Sequence, residues 1–356
     1  MERLTQVLRE GVRRQASDIL ISAGSPVTYH VFGVLQRAEP PIPLTAEDTR
    51  ILVLELLDSD QQRELEDRGE IDTSVHIPEV ARFRVNAFRQ KSTLAAVLRV
   101  VPFQVPRYTE IGISDQLLIR LTGIPDGLVL VTGPTGAGKS TTVASLLQYL
   151  NLESEKARHI ITIEDPIEFM IESSNCVVDQ RELGVDTRSY ASGLRSALRQ
   201  MPHIIFVGEM RDRETIEIAM TAAETGNLVI STLSTQSASK TVNRIVDVFP
   251  VHDQNEVRAR LSLSLRATIS QVLLPRRDRS GRVAAREVLF VNNSVANLIR
   301  EGKVHQINNV IAGARAEGMM LLDESLLQLY RDRLVDAADI VTRLQDPERM
   351  RAVVGS

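Results

Sequence analysis

Three glycines, a lysine and a hydroxyl in the order Gly133-Pro134-Thr135-Gly136-Ala137-Gly138-Lys139-Ser140, with Thr141 next, have the types and spacing to bind a phosphate chain. Glycines let the backbone curl so that its N–H groups point inward, and a helix starting just after the loop adds the positive end of its dipole. The lysine can reach β- and γ-phosphates, and the adjacent hydroxyl can ligate Mg²⁺. The context suits this chemistry: the apolar run 128–131 precedes the loop and a helical pattern over 141–150 follows it. The plain alternative is a glycine-rich turn with an exposed lysine.

Carboxylates follow two other apolar runs. Behind 160–163 come Glu164, Asp165 and Glu168. Acids crowded beside a triphosphate repel unless a metal or a water needs them, so one of them is expected to orient an attacking water. On local grounds Glu164 and Glu168 are equal candidates, with solvated loop acids as the alternative. Behind 204–207 come Gly208 and Glu209. Four apolar residues and then an acid have the form of a Walker-B strand, whose carboxylate holds the Mg²⁺ water shell across from Ser140. Here the acid is glutamate rather than the commoner aspartate.

These residues need a parallel sheet to position them. From about 123 onward, apolar runs at 128–131, 160–163, 204–207 and 228–233 alternate with helical segments, which predicts an α/β fold with helices on both faces and a ligand beyond the carboxyl ends of the strands. Beyond 253 the pattern reads as mainly helical, interrupted by a hairpin-like turn at 275–282. Before 105 it reads as a small α+β unit: a helix over 1–14, strands over 18–22 and 27–35, a helix capped by Thr45 with Asp48 in its first turn and running to about 57, then strands over 71–75, 82–88 and 95–101. Prolines at 102 and 106 break regular structure. The expected division is an amino-terminal domain over 1–105, a linker with a docking helix over 106–122, and a nucleotide domain over 123–356.

At 356 residues the chain suits about two domains. No apolar run approaches the ~18 residues of a membrane span, and the first residues lack a hydrophobic signal core. The single cysteine, Cys176, fits a reducing cytoplasm and reads as a packed small hydrophobe. A net charge of −4, no basic block and no tryptophan argue against a nucleic-acid partner.

Several long motifs, TGPTGAGKSTT, ITIEDPIEF, VGEMRDRETIEIAMTAAETG and TVNRIVDVFP, resemble the type II/IV secretion ATPases (the GspE/PilT family), and within them the PilT/PilU retraction ATPases of type IV pili. The likeness covers nearly the whole chain: ASDILISAG and ARFRVNAF resemble the amino-terminal domain of that family, and EGMMLLDESLLQLY its carboxyl-terminal helices. The resemblance implies an ATP- and Mg²⁺-dependent motor for pilus retraction and twitching motility. It implies a homo-hexamer of subunits, each with a PAS-like amino-terminal domain hinged to a RecA-like ATPase domain with carboxyl-terminal helices. It also implies a cytoplasmic ring, peripheral to the inner membrane through a pilus platform protein, with a paralogous retraction ATPase as a further partner.

Carried over by position, Gly133, Pro134, Thr135, Gly136, Ala137, Gly138 and Thr141 complete the Walker-A loop around Lys139 and Ser140. Glu209 matches the Walker-B acid and Glu168 the general base, with Glu164 in support. Arg84 and Arg99 match amino-terminal arginines that approach the γ-phosphate; without the resemblance they read as ordinary exposed strand residues. Arg195 and Arg199 match another pair near the site, and read equally well as charges on a helix surface.

The departures bear on function. Where the family carries two histidines, in TG-H-L and TL-H-T, this chain has Asn227 and Ser234, which can hydrogen-bond to phosphate or to Glu209 but cannot relay a proton. Met201-Pro202-His203 replaces Asp-Pro-Asp, and Ser294-Val295-Ala296-Asn297 replaces Ala-Ile-Arg-Asn in a region linked to retraction. An accessory ring subunit that hydrolyses ATP slowly is therefore the alternative to a motor. A nucleic-acid translocase and a small-molecule kinase are opposed by the charge and by the dedicated amino-terminal domain.

Overall fold

Thr45 starts a helix through a reciprocal cap: its hydroxyl accepts the Asp48 N–H, and the Asp48 carboxylate accepts the Thr45 N–H. Such caps are worth about 1 kcal/mol. Asp58 and Gln61 repeat the device and start a further helix that hydrophobic periodicity does not reveal, because its ten residues bury only Leu65.

The computed structural model describes residues 2–31, 34–78, 80–101, 104–154, 156–346 and 348. By internal contacts the chain divides into two units, Met1–Gln104 with Pro166–Met170 and Gly184–Asp186, and Val105–Asp165 with Ile171–Leu183 and Thr187–Ser356.

The first unit holds α1 (Glu2–Arg13), β1 (Asp18–Ser22), β2 (Thr28–Val31), β3 (Val34–Arg37), α2 (Ala46–Leu54), α3 (Ser59–Arg68), β4 (Glu70–Ile77), β5 (Ala81–Gln90) and β6 (Thr93–Val101). Its strands form an antiparallel sheet in the order β3-β2-β1-β6-β5-β4. The single strand expected over 27–35 is instead a hairpin, β2 pairing with β3 from Thr28↔Arg37 to Val31↔Val34, with residues 32 and 33 outside the described ones. In β5 the period of two is plain: Phe83, Val85 and Ala87 join Leu8, Leu52 and Leu65 in the core, and Arg82, Arg84 and Asn86 take the other face.

The second unit contains α4 (Asp115–Thr122), β7 (Gly127–Thr132), α5 (Lys139–Glu153), β8 (His159–Glu164), β9 (Val177–Glu182), α6 (Tyr190–Ala197), β10 (Ile204–Val207), α7 (Arg213–Glu224) and β11 (Leu228–Leu233). It continues with α8 (Ala238–Asp247), α9 (Gln254–Ser264), β12 (Leu265–Pro275), β13 (Arg282–Phe290), α10 (Asn293–Arg300), α11 (Ile307–Gly313), α12 (Leu322–Arg331) and α13 (Ala337–Val341). The sheet order is β13-β12-β7-β11-β10-β8-β9, all parallel except the edge strand β13.

Beyond 253 helices make up most of the regular structure, as expected, and the hairpin turn at 275–282 joins two long strands, β12 and β13. β12 is buried on both faces over most of its length, so it carries no alternation for a sequence reading to catch. β9 was hidden for the opposite reason, being a polar edge strand. Cys176 is buried, its Sγ 3.4 Å from the Leu150 carbonyl that accepts from it. Val272 and Leu274 of β12 and Ala285 of β13 form a separate apolar cluster with Leu322 and Leu326 of α12 and Ile340 of α13.

Candidate active site

β7 is buried throughout and ends at Thr132, so the chain leaves the sheet core directly into the loop 133–138. Gly133 has φ +149°, and a Cβ there would stand 2.3 Å from the Gln271 carbonyl oxygen, so the loop's entry tolerates only glycine. Gly138, at φ +82°, caps α5 with no side chain, and the first turn of that helix holds no acid. Its N–H groups and dipole therefore face the loop uncompensated, which is the arrangement that binds an anion. The Lys139 ammonium donates to the Gly133 carbonyl at 2.9 Å and to that of Pro134 at 3.2 Å, which holds the charge over the loop.

The neighbouring strands of the parallel set end on the same edge. Gly208, just past β10, is fixed by its own N–H to the Ile163 carbonyl and by the Thr232 hydroxyl on its carbonyl. Glu209 follows, with Oε2 accepting from Arg211 Nη2 at 2.7 Å and Oε1 accepting from Ser234 Oγ at 3.2 Å. Glu164 ends β8, is 8% exposed, and accepts at Oε1 from Thr162 Oγ1 at 2.7 Å and from Gln180 Nε2 at 3.1 Å. The structure thus gathers Lys139, Ser140, Glu209, Ser234 and Glu164 at the carboxyl ends of β7, β10, β11 and β8.

The family model described as "Type II/IV secretion system protein" matches residues 1–342. The chain belongs to that family. It is 45% identical over 345 residues to the type IV pilus retraction ATPase PilT of Pseudomonas aeruginosa, covering 97% of this chain and 99% of that one. A twitching motility protein of Neisseria gonorrhoeae is also 45% identical, over 339 residues, covering 95% of this chain and 89% of that one. The crystal structure of the pilus retraction motor PilT with bound ADP matches with a TM-score of 0.87 at 42% identity, covering 96% of this chain and 97% of that one. The fold of this family member is accordingly an amino-terminal α+β domain followed by a RecA-like domain with carboxyl-terminal helices.

Against that family pattern, the two departures from histidine part company. Ser234 lies at the carboxyl end of β11, on Glu209, whereas Asn227 precedes the first residue of the strand and donates to the Pro202 carbonyl at 2.7 Å. Six strand residues span roughly 20 Å, so of the two expected partners, phosphate or Glu209, Asn227 is out of reach of Glu209. Arg195, on α6, pairs with Glu214 of α7, and Arg199, just past the end of α6, donates to the Arg195 carbonyl at 3.1 Å.

Glu168 is an exposed loop residue of the segment that groups with the first unit. Arg84 and Arg99 also belong to that unit, directly opposite each other on β5 and β6. Arg99 Nε donates to Asp18 at 2.9 Å. Burial alone would raise the Asp18 carboxyl, but hydrogen bonds from Arg99 and Ser17 hold it below its usual range.

Two residues of the site escaped the sequence reading. Gln271, on β12, bonds to Ala137 in the loop 133–138. Tyr190, at the start of α6, lays its hydroxyl against Gly208, where a Cβ would meet it at 2.9 Å. Burial, and then the charge of Asp165, drive its phenol well above the usual range, with Glu209 and Glu164 adding to the effect and Arg211 opposing it. No short-range pattern marks either one. Among the described residues no helix is long and apolar enough to cross a membrane.

Proposed function

We propose that this chain is the subunit of an ATP-hydrolysing ring motor that retracts a type IV pilus-like filament and so powers twitching motility. The observation that carries this is an intact phosphate loop between β7 and α5 in a chain 45% identical, nearly end to end, to a protein named for pilus retraction. In this reading residues 1–105 form a PAS-like domain, 106–122 a linker and 123–356 the ATPase domain. The ring is a homo-hexamer on the cytoplasmic side of the inner membrane, seated on the platform protein of the pilus, beside a paralogous retraction ATPase where one is present.

ATP lies with its β- and γ-phosphates against the N–H groups of Gly133 to Thr141 and the Lys139 ammonium. Ser140 Oγ and the Glu209 carboxylate are hard oxygen donors of the kind Mg²⁺ takes and would hold it, and a metal bound there would supply positive charge to neutralise the phosphates. Glu168 orients the attacking water and draws its proton, and Glu164, held rigid by Thr162 and Gln180, keeps the strand end acidic. Arg84 and Arg99, neighbours across β5 and β6, supply positive charge to the γ-phosphate of an adjoining subunit in the ring, so that phosphate loss is felt by the amino-terminal domain.

One observation favours a second reading, an accessory subunit with slow turnover: the group that reaches Glu209 from the end of β11 is a serine, which has no proton-relay capacity. Filament retraction in a strain carrying this gene as its sole retraction ATPase, together with Mg·ATP turnover by the purified protein, separates the two. Retraction with turnover supports the motor. Slow turnover without retraction supports the accessory ring, and no turnover in either setting sinks both.

A further inference from the structure

Gln271 sits in the middle of β12, 2% exposed, and both the nitrogen and the oxygen of its amide are engaged. Nε2 donates to the Ala137 carbonyl at 2.6 Å, and Oε1 accepts from Thr142 Oγ1 at 3.0 Å. One side chain therefore joins the end of the loop to the first turn of α5. The same residue's backbone carbonyl closes on the loop's entrance, 2.3 Å from where a Cβ of Gly133 would lie, and its neighbour Ser270 accepts from Thr132 Oγ1 at 2.9 Å. β12 thus grips the loop where it leaves β7 and where it enters the helix.

The consequence follows from peptide geometry. In a planar trans peptide the C=O of one residue and the N–H of the next point in opposite directions. A Gln271 amide that draws the Ala137 carbonyl toward β12 turns the Gly138 N–H away from β12, toward the concave side where a phosphate's oxygens would lie. Without that bond, the Ala137–Gly138 plane can rotate at little energetic cost, because Gly138 tolerates either sign of φ.

We propose that Gln271 is a positioning residue for the nucleotide, presetting the phosphate loop by fixing the Ala137–Gly138 peptide from outside the loop. The proposal rests on the reading of residues 133–141 as a phosphate loop. It makes β12 the loop's second scaffold, alongside β7. Since β12 also contributes Val272 and Leu274 to the cluster with α12 and α13, the loop and the carboxyl-terminal helices share one strand.

The test measures fluorescent-ADP affinity, Mg·ATP kinetics and thermal midpoints on full-length wild type, Gln271→Met, Gln271→Glu, Thr142→Val and Lys139→Ala. Gln271→Met should bind ADP at least about tenfold more weakly and raise KM for ATP by a similar factor, with a smaller change in kcat. Gln271→Glu is the diagnostic variant, because an ionised carboxylate repels the Ala137 carbonyl whereas a protonated one can donate to it. Its binding deficit relative to wild type at the same pH should therefore shrink between pH 8 and pH 6, burial having raised its carboxyl toward that range. Thr142→Val should weaken binding a few-fold by freeing the amide to turn, and it decides the matter should the Gln271 variants not fold. Binding within twofold of wild type in Gln271→Met or Thr142→Val, or a deficit in Gln271→Glu that ignores pH, overturns the proposal. If Lys139→Ala keeps wild-type affinity, the phosphate-loop reading itself fails. If Lys139→Ala loses affinity while the Gln271 variants keep it, only the positioning role fails.

Discussion

Ser234 Oγ donates to Glu209 Oε1 at 3.2 Å, and this contact stands where relatives in the family carry an imidazole. Asn227, the other replaced histidine, lies at the far end of β11 against Pro202. Restoring the two is therefore not one experiment. We expect Ser234→His alone to raise turnover, by about tenfold if the imidazole adds a charge-assisted contact worth roughly 1.4 kcal/mol. Asn227→His should add nothing to it. The comparison is kcat for the two single variants and the double; a gain confined to Asn227→His would reverse the assignment.

Glu168→Gln should retain nucleotide binding and ring assembly and lose at least about tenfold in turnover, because the amide still hydrogen-bonds but cannot draw a proton from water. Glu164→Gln should cost less turnover and show more in the thermal midpoint, since it disturbs the buried bonds to Thr162 and Gln180. Turnover and unfolding measured on the same preparations separate the two roles. A worse turnover defect in Glu164→Gln moves the general base to that residue.

Arg84→Ala and Arg99→Ala should each lower turnover with the fold intact, because both side chains stand outside the core of their unit. Arg99→Ala also strips the Asp18 carboxylate of its principal cation, so the Asp18 carboxyl should rise in a carbonyl-selective titration. Combined with Glu168→Gln, neither arginine variant should lower the rate by its full single-variant factor, as for groups acting on one transition state. Full turnover by monomeric protein speaks against a site shared between subunits.

Glu287, 1% exposed on β13, accepts the Ala238 N–H at the start of α8 at 2.7 Å. Burial, opposed by the Ala238 N–H and aided by the Asp323 charge, pushes its carboxyl up to about 7. Arg286 next to it gives its guanidinium to the carbonyls of Ile111 and Gly112 instead. The folded state therefore holds the Glu287 proton more tightly than the unfolded chain, whose carboxyl lies near 4.5. Its contribution is whole below that value and falls away as pH climbs through about 7, a span equivalent to about 3 kcal/mol. Glu287→Gln keeps the acceptor and removes the titration, so its thermal midpoint should exceed that of wild type at pH 8, with a flatter slope between pH 5 and 8. Parallel wild-type and variant curves would show the group to be charged throughout.

The strand, loop and helix around 133–138 were legible in the sequence because everything that makes them is local: three glycines, a lysine and a hydroxyl within eight residues, an apolar run before and a helix after. The Thr45 cap and the alternation of β5 were legible for the same reason, since the signals for a helix start or a half-buried strand repeat within two to four residues. By themselves the residues left Glu164 and Glu168 equal. The folded chain distinguishes them, one buried and bonded at the end of β8 and the other exposed on a loop. What no local pattern could reveal was strand order. Gln271 reaches Ala137 from 134 residues away only because β12 lies beside β7, and a strand buried on both faces over most of its length has no period to announce it. Asn227 and Ser234 look like one motif in the sequence, yet they face opposite ends of the sheet because a six-residue strand runs between them. Residue chemistry and short-range spacing belong to the sequence, whereas which side chain meets which across the sheet is settled by the packing of whole strands against one another.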